Sequence, residues 1–431
     1  MPLMNSTGAL KLQRSVVAGN IVLYTNYFDT INTGILETGK YSSTGSTCVV
    51  GDVPVGGGVI GGVIRTNSYG NITNQITLNG ATGNTCRLAD VVFDSTDTLY
   101  VCGDYSLSGF PTAQKSVTIK FDNTLNVVWQ KQLYDTTGWR VFLHTMAYHP
   151  STSDIYVGGI HQSSGSTLNP LLAKYDSNGN LLFQKYLSNT GTRTVGLHFD
   201  SSNNYYCCVI NQISNYGVEV SKWNSSDVYQ WSVRINTFAT VSWANSVTDS
   251  SGNTYVLVLV SNQMYVVKLD NTGSIVWQNV FSGTYADLGG MAIDSSGNIY
   301  VSMYDSSSPN KVYVVKVNSS GGLVWQNYLT DSSGIQAGNR NNNLDWRNNK
   351  IWVGAYDWPS ATTTYNWSLP DDGTLTGTYS NFSYLPGALT FSSSSLTLTT
   401  LVNTSSTSAL TDANATLISS PGTFTQTVQA L

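Results

Sequence analysis

Short runs of hydrophobic and β-branched residues, separated by polar turns, cover most of the chain. In DSSGNIYVSM (294–303) a polar turn with a Gly precedes a run of strand-forming residues. VYVVKVNSSGGLVWQNYL (312–329) places the same kind of turn between two such runs. Glycine reaches positive φ at little cost, so these turns suit β-hairpins. The sequence has no sustained helical periodicity, so the pattern predicts an all-β protein made of hairpins.

One phrase recurs along the chain at a nearly constant interval. It contains a Lys, an Asp or Asn two residues later, and a large aromatic seven residues after that; VVKLDNTGSIVWQ (266–278) is a clear copy. The aromatic anchors are Trp129, Phe183, Trp231, Trp277 and Trp325, spaced 54, 48, 46 and 48 residues apart. Repeats of this length are typical of stacked supersecondary units such as propeller blades.

A second phrase precedes most copies of the first. It has an Asp followed six residues later by a Tyr, as in Asp94/Tyr100, Asp200/Tyr206, Asp249/Tyr255 and Asp294/Tyr300. Because the two phrases alternate, each unit contains two hairpins and therefore four strands. Four-stranded units of about 40 to 50 residues in series predict a β-propeller.

Seven units can be counted, which predicts a seven-bladed β-propeller of four-stranded antiparallel blades over residues 20–385. Six units have anchor positions at 74, 129, 183, 231, 277 and 325, and a degenerate unit covers 351–379. Residues 5–13 match the offset of the fourth strand, so we expect the N-terminal segment, 1–19, to complete the last blade and close the ring. The alternative is that residues 372–380 complete that blade.

The phrase D-x-x-G-N-x-Y-V, followed by K-x-D-x-x-G-x-x-x-W, resembles the seven-bladed propeller repeats of bacterial surface proteins and of some bacteriophage virion proteins. The resemblance covers roughly residues 20–380 and departs from the pattern in the first and last units. It implies a fold more strongly than an activity, because propellers host unrelated functions.

Charge is scarce in this chain. Only 10% of the 431 residues are charged, the net charge is −5, and no Lys or Arg follows Lys350. A chain without a basic stripe is not expected to bind nucleic acid, and no apolar run approaches the length of a membrane span. The N-terminus lacks a secretory signal pattern, which favours a virion protein assembled in the cytoplasm over a secreted or cell-surface protein.

Few residues suggest chemistry, so we expect a protein that is not an enzyme, without cofactor or metal. The five cysteines have no ligand spacing and are interpreted as small buried hydrophobes, with a Cys86–Cys102 disulfide as the alternative. The four histidines share no ligand spacing either. The repeated aromatic anchors are expected to pack between neighbouring blades.

The connections that vary between units are expected to share one face of the propeller. Aromatic rings with flanking polar groups there can stack on sugars, which predicts contact with a host receptor or glycan. The candidate residues of this face are Trp139, Arg140, Trp243, Tyr285, Tyr356 and Trp358.

The composition changes after Leu385. Residues 386–431 contain a single charged residue, Asp412, and alternate apolar residues with Ser and Thr. Such a β-prone extension needs a partner surface, because isolated strands are unstable in water. We expect it to anchor the propeller to other virion subunits by strand addition or interface burial; the alternative is a loosely ordered linker.

The predicted function is a structural or adhesion component of a phage virion, such as a tail fibre, a tail tip or a capsid decoration, assembled as part of an oligomer. A secreted or cell-surface propeller that binds carbohydrate is the first alternative. A glycan-degrading enzyme that uses Asp residues on the channel face is the second.

Overall fold

The structure is a computed structural model. It describes residues 24–29, 35–55, 58–79, 85–106, 114–165, 167–187, 191–212, 216–307, 309–331, 335–337, 344–357, 363–379, 382–402, 405–408, 410–414, 418–421 and 425–429. These residues form strands and turns and contain no helix. Consequently, no helix in this part of the chain is suited to cross a membrane.

Six antiparallel sheets, called blades 1 to 6, each contain four consecutive strands. In chain order the strands are β2 (Ile35–Tyr41), β3 (Thr47–Val55), β4 (Gly58–Thr66) and β5 (Ile72–Asn79) in blade 1; β6 (Cys86–Phe93), β7 (Leu99–Ser106), β8 (Gln114–Phe121) and β9 (Val127–Tyr134) in blade 2; β10 (Val141–Tyr148), β11 (Ile155–Gln162), β12 (Leu168–Tyr175) and β13 (Leu181–Tyr186) in blade 3; β14 (Arg193–Phe199), β15 (Tyr205–Asn211), β16 (Gly217–Trp223) and β17 (Tyr229–Asn236) in blade 4; β18 (Val241–Thr248), β19 (Thr254–Val260), β20 (Gln263–Leu269) and β21 (Ile275–Ser282) in blade 5; and β22 (Tyr285–Ile293), β23 (Ile299–Asp305), β24 (Lys311–Val317) and β25 (Leu323–Asp331) in blade 6.

A seventh sheet, called the composite sheet, combines strands from distant parts of the chain. Its order is β26, β28, β29, β1 and β37, with β27 also paired to β28. The strands are β1 (Tyr24–Asp29), β26 (Ile335–Ala337), β27 (Leu344–Arg347), β28 (Lys350–Asp357), β29 (Thr363–Pro370) and β37 (Thr425–Gln429).

The first strands of the sheets surround a central axis. Each contacts the first strand of the next blade, from β2 through β6, β10, β14 and β18 to β22, and β27 contacts both β22 and β2. All six first strands of the blades also carry a β-bulge. This closed circle of radial, repeated sheets is a β-propeller, which confirms the prediction of an all-β propeller with four-stranded blades.

The strand that completes the composite sheet comes from the N-terminal part of the chain. It is β1, which pairs with β29 over its whole length. Residues 1–19, which we expected to contribute the closing strand, lie outside the described residues. In the alternative segment, β30 (Gly377–Tyr379) pairs with β31 (Phe382–Pro386) in the sheet of blade 6 and not with the composite sheet.

The repeated Lys and Trp of one blade bind the same backbone carbonyl of the next. In each case the indole N–H and the ammonium group donate to the carbonyl oxygen at 2.9 to 3.4 Å. The pairs and their acceptors are Lys120 and Trp129 with Ser177, Lys222 and Trp231 with Asn271, Lys268 and Trp277 with Ser319, and Lys316 and Trp325 with Asp371.

The Gly of the repeated turn lies directly beneath that indole ring. Gly321 has φ +87°, and a Cβ there would approach Trp277 to 2.9 Å. Gly179 lies in the same way beneath Trp129. The repeat therefore needs Gly both for the left-handed backbone and for the close approach of the ring.

The interface of blades 3 and 4 replaces this contact. Phe183 has no N–H to donate, and Asp227, at φ 62°, occupies the Gly position of the next turn. Lys174 bonds instead to carboxylates, at 3.2 Å from Asp154 and 3.6 Å from Asp227. A smaller ring thus leaves room for an acidic side chain, which takes over the contact with the Lys.

The C-terminal strands surround the blades. We call β31 to β37 (382–429) the belt. Each belt strand pairs antiparallel with the outermost strand of one sheet, in the reverse of the chain order of the blades. The pairs are β31 on β25, β32 (Thr390–Ser393) on β21, β33 (Thr397–Thr400) on β17, β34 (Ser406–Thr407) on β13, β35 (Thr411–Asn414) on β9, β36 (Ile418–Pro421) on β5, and β37 on β1.

A seven-residue period in the sequence matches the belt to the blades. A large side chain recurs every seven residues at Leu389, Leu396, Asn403, Leu410, Leu417 and Phe424, and a belt strand follows most of these positions directly. The extension was expected to add strands to a neighbouring subunit. In this structure the strands are added to sheets of the same chain.

The Gln that follows the repeated Trp holds the belt. Gln278 Oε1 accepts from Leu396 N–H at 2.7 Å, and Gln278 Nε2 donates to Leu396 O at 3.0 Å. Gln326 makes the same pair of bonds to Leu389, at 2.9 and 3.4 Å. We call this arrangement the glutamine clamp. The Leu side chains pack against the hydrophobic core between blades.

We expect Gly321→Ala to destabilise the protein by about 2 to 4 kcal/mol, because the substitution adds backbone strain and a clash with Trp277. Thermal or urea unfolding of the full chain measures the effect.

Gly138→Ala is the matched control. Gly138 has the same φ of +87°, and nothing lies within 4 Å of the position of its Cβ. An equal loss in both variants would show that the ring contact contributes nothing.

Candidate functional site

Three sheets carry a polar group at one repeated position of the innermost strands. This position pairs with the repeated Tyr of the second strand. In blade 1 and in the composite sheet, Cys48 and Trp352 take the place of that Tyr. Four sheets place Val92, Ala147, Val247 and Ala292 there, and the others place Lys40, His198 and Asp345. These three residues were not predicted from the sequence. The signal was a polar residue seven or eight positions before the Tyr or its counterpart, where other units have small apolar residues.

Lys40 and Asp345 face each other where blade 1 meets the composite sheet. Lys40 Nζ lies 3.8 Å from Asp345 Oδ1, and both side chains are 21% exposed. The backbone N–H of Tyr41 donates to Asp345 Oδ2 at 2.8 Å. Burial raises the pKa of the Asp345 carboxyl, against the opposing effect of Lys40. The pair is therefore an accessible charged site that also holds the ring seam.

Asp90 is a buried carboxyl in the bulge of β6. It accepts hydrogen bonds from Val91 N–H at 2.9 Å and from Met146 N–H of the next blade at 2.8 Å. Burial nevertheless raises its pKa from 3.8 to about 6, with Lys40 and these hydrogen bonds acting in the opposite direction. Asp90 can therefore exchange a proton near neutral pH.

His198 is the neutral member of the group. Burial lowers its pKa to about 4, and Lys40 contributes to the shift. Its Nε2 has no hydrogen-bond partner in the part of the chain that the structure describes. Lys40 thus interacts electrostatically with Asp90, Asp345 and His198. Two carboxyls of raised pKa, a neutral imidazole and an ammonium group are capable of binding a polar ligand or of acid and base catalysis.

Among the described residues, no three His, Cys, Asp or Glu side chains are grouped so that they could hold a metal ion. The five cysteines are free and buried, so the Cys86–Cys102 disulfide is not present. Burial raises the pKa of the Cys48, Cys207 and Cys208 thiols to about 12, which keeps them unreactive.

Three of the residues predicted for a ligand face lie on one side of the propeller, Trp139 and Arg140 in the connection into β10 and Trp243 near the start of β18. We call this side the connection face. Trp139 is 37% exposed and precedes β10, and the Arg140 carbonyl accepts from Gln162 N–H. Trp243 belongs to blade 5 and packs beneath the guanidinium of Arg193, 4.2 Å from the ring centroid. Trp139 and Arg140 lie two blades away from Trp243, so the three residues do not form one cluster.

The other predicted face residues do not add to this surface. Tyr285 is fully buried, because it begins β22 and packs in the core between blades 5 and 6. Tyr356 lies on β28, with a side chain that is not described, and Trp358 lies outside the described residues.

The comparisons with known proteins concern the fold. No known family profile and no curated protein matches the chain. Among solved structures, a puromycin hydrolase mutant complexed with PGG is 12% identical, with a TM-score of 0.51 over 75% of this chain. The match spans half of the hydrolase chain. The chain is also similar to polysaccharide lyase Uly1, with 9% identity and a TM-score of 0.45 over 80% of this chain and 99% of that chain. A third similar structure is Chaetomium thermophilum Sqt1 bound to the N-terminus of ribosomal protein L10, with 7% identity and a TM-score of 0.45 over 80% of this chain and 98% of that chain.

The expectation that the protein is not an enzyme is corrected by these findings. A hydrolase shares the fold, so the scarcity of catalytic patterns in the sequence does not exclude catalysis. At 12% identity the similarity shows a β-propeller with repeated blades and assigns no activity.

We expect the stability of the wild type relative to Asp90→Asn to fall by about 2 kcal/mol as the pH rises from 4 to 7. The folded protein binds the Asp90 proton more tightly than the unfolded chain does, so stability is lost between the unfolded pKa of 3.8 and the folded pKa of about 6. Urea unfolding of both proteins across this range measures the difference.

Asp122→Asn is the control with the opposite sign. Hydrogen bonds from Asn126 lower the pKa of this turn carboxyl to about 2. The stability that the Asp122 carboxylate contributes is therefore lost only as the pH falls below 4. A constant difference between wild type and Asp90→Asn across pH 4 to 7 would refute the assignment.

Proposed function

We propose that the protein is a structural and adhesion component of a bacteriophage particle, with the propeller as a rigid displayed disc. The observation that carries the proposal is the belt, which covers the outer edge of every sheet. The resemblance of the repeats to those of phage virion proteins and the scarcity of charge are consistent with it.

The composite sheet acts in this proposal as the seventh blade. Blade 6 binds it through Lys316 and Trp325, which donate to the Asp371 carbonyl as the repeated Lys and Trp do at three other interfaces. On its other side the Tyr41 hydroxyl bonds to Ser368 Oγ of β29 at 2.8 Å. A closed seven-bladed ring leaves no blade without neighbours.

A virion protein must resist unfolding outside the cell, where it is not replaced. Resistance of this kind depends on the barrier to unfolding. The belt adds backbone hydrogen bonds and partly buried Leu side chains at the rim, and neither depends on ionic strength as surface ion pairs do. Outermost strands that are already paired also offer fewer edges for aggregation.

Contact with a host receptor or glycan is proposed for the connection face around Trp139 and Arg140. The exposed indole of Trp139 suits stacking on a sugar ring, and the neighbouring Arg140 in the sequence can supply hydrogen-bond donors to its hydroxyls. The outward surface of the belt remains available to other virion subunits.

Mass spectrometry of purified particles is expected to find this chain, and particles with Trp139→Ala are expected to adsorb to host cells at least tenfold more weakly. Loss of one stacking ring accounts for a change of this size.

Tyr69→Ala provides the matched control, because Tyr69 is 58% exposed in a turn on the opposite face. Absence of the chain from the particles would reject the virion proposal. Equal adsorption of the Trp139→Ala and Tyr69→Ala particles would reject the proposal that the connection face contacts the host.

The polar residues of the innermost strands favour a second candidate function, the degradation of a host polysaccharide. Its support is the grouping of Lys40, Asp90, His198 and Asp345 around one axis, with carboxyl pKa values raised by burial. Carboxyl groups in such environments are suited to act as general acids.

If this second function holds, Asp345→Asn should reduce product release from host capsular polysaccharide by about 10²-fold or more. The amide retains an acceptor for Tyr41 N–H, whereas the charge that pairs with Lys40 is lost. Asp372→Asn, in an exposed turn, serves as the control. Wild-type protein that releases no product from any host polysaccharide would dismiss this candidate.

A further inference from the structure

The connection that carries Trp139 is anchored to blade 3 at its C-terminal end. We call residues 135–140, which join β9 of blade 2 to β10 of blade 3, the Trp139 connection. The carbonyl of Arg140 accepts a hydrogen bond at 2.9 Å from the backbone N–H of Gln162, the last residue of β11. A bond of this kind also precedes β6, so it is not particular to this connection.

The other end of the Trp139 connection is held by a buried side chain. His161, the residue before Gln162 in β11, is only 5% exposed. Its Nε2 lies 2.7 Å from Asp135 Oδ2, and its Nδ1 lies 2.5 Å from the hydroxyl oxygen of Tyr186. The imidazole and phenol rings are stacked, with centroids 5.8 Å apart. Tyr186 thus orients the imidazole, and the imidazole holds the carboxylate of Asp135.

The direction of these hydrogen bonds follows from the charge of Asp135. Burial opposes ionisation of this carboxyl, yet hydrogen bonds from Thr137 and His161 lower its pKa. A carboxylate only accepts hydrogen bonds, so Nε2 of His161 carries a proton and donates it. Burial raises the pKa of the Tyr186 phenol, which therefore stays protonated and donates to Nδ1 of the neutral ring.

Asp135 also organises the interior of the Trp139 connection. Its Oδ1 accepts from the backbone N–H of Thr137 at 2.7 Å and from the Thr137 hydroxyl at 2.5 Å. Its backbone carbonyl accepts from Gly138 N–H at 3.1 Å, and Gly138 has φ +87°. Trp139, which is 37% exposed, follows this turn directly. One carboxylate therefore joins the turn before the indole to a buried residue of blade 3.

The position of His161 differs from blade to blade. It lies five residues after the repeated Tyr or its equivalent, Tyr156 in blade 3. In blade 5 the position is Val260, whose side chain cannot form a hydrogen bond with the incoming connection. In blade 6 it is Asp305, which accepts from the Thr284 hydroxyl at 3.0 Å. A polar side chain at this position can therefore reach the incoming connection, and in blade 3 it reaches an ionised group.

We propose that His161 is a positioning residue, which holds the Trp139 connection through Asp135 and so presents the indole to a ligand in a fixed orientation. The effect on ligand binding rests on the proposed contact of the connection face with a host receptor or glycan, whereas the positioning of the ring does not. A ring that is oriented before binding loses less conformational entropy when it stacks on a ligand.

Fluorine NMR of the full-length protein labelled with 5-fluorotryptophan tests the positioning. The chain has 11 Trp residues, and the Trp139 resonance is the one that is absent from Trp139→Phe protein. We expect His161→Ala to move this resonance toward its position in the unfolded chain, by more than the resonance of any other Trp. His161→Gln is expected to move it less, because the amide retains an N–H donor for Asp135.

Thr284→Val is the matched control, because it removes the corresponding bond of blade 6. It is expected to leave the Trp139 resonance in place. Particles with His161→Ala are expected to adsorb to host cells about three- to tenfold more weakly, since the indole must then be ordered during binding.

An unmoved Trp139 resonance in folded His161→Ala protein would overturn the proposal. If that variant does not fold, Tyr186→Phe provides the decision, because it removes the hydroxyl that orients the imidazole and leaves His161 in place. No movement of the resonance in Tyr186→Phe protein would then overturn the proposal. A moved resonance with unchanged adsorption would support the positioning and reject the ligand contact, so the two failures are distinguishable.

Discussion

The propeller depends on the contact by which one blade binds the backbone of the next. A Lys and a Trp converge on one carbonyl of the following turn, and the Gly of that turn makes room for the indole ring. Burial of such a ring removes about 200 Å² from water, and the two hydrogen bonds fix its orientation. At the four interfaces that have it, the contact is directional, since one sheet donates and the next accepts. Repetition of such a contact from sheet to sheet favours a closed ring, although blades 3 and 4 use the Lys174 ion pairs instead.

The belt is held by the same fourth strand, through the residue that follows the repeated Trp. The residue pair Trp-Gln sends one side chain to the neighbouring blade and the next to the belt, because successive residues of a strand point in opposite directions. Gln278 and Trp277 show the division clearly. A two-residue phrase therefore specifies both the internal contact and the outer closure of a blade.

Much of the fold was predictable from the sequence because the repeat is local. Turn chemistry, strand runs and the spacing of anchors such as Trp277 and Trp325 all appear within about 50 residues. The belt was not recognised, because each unit has a strand of only two to five residues and its partner lies far away, as Leu396 does from Gln278. The same holds for β1, which carries no copy of the repeated phrase and is defined only by its pairing with β29.

The candidate site was less predictable than the fold. The aromatic residues chosen for a ligand face were picked by type, and Tyr285 is buried because its position in β22 places it in the core. Lys40, His198 and Asp345 can be recognised as a set only when the units are aligned on their second strands. Lys40 and Asp345 lie some 300 residues apart in the chain and meet because the ring closes between them.

The reverse order of the belt has a consequence for synthesis on the ribosome. Strands β2 to β25 can pair as they emerge, but the edge of blade 1 is covered only by β36, and β1 receives its outer neighbour only from β37. Blade 1 therefore waits longest with an open outer edge, until β36 has been translated. During that interval the edge strand β5 presents Thr, Asn and Gln side chains among its apolar residues.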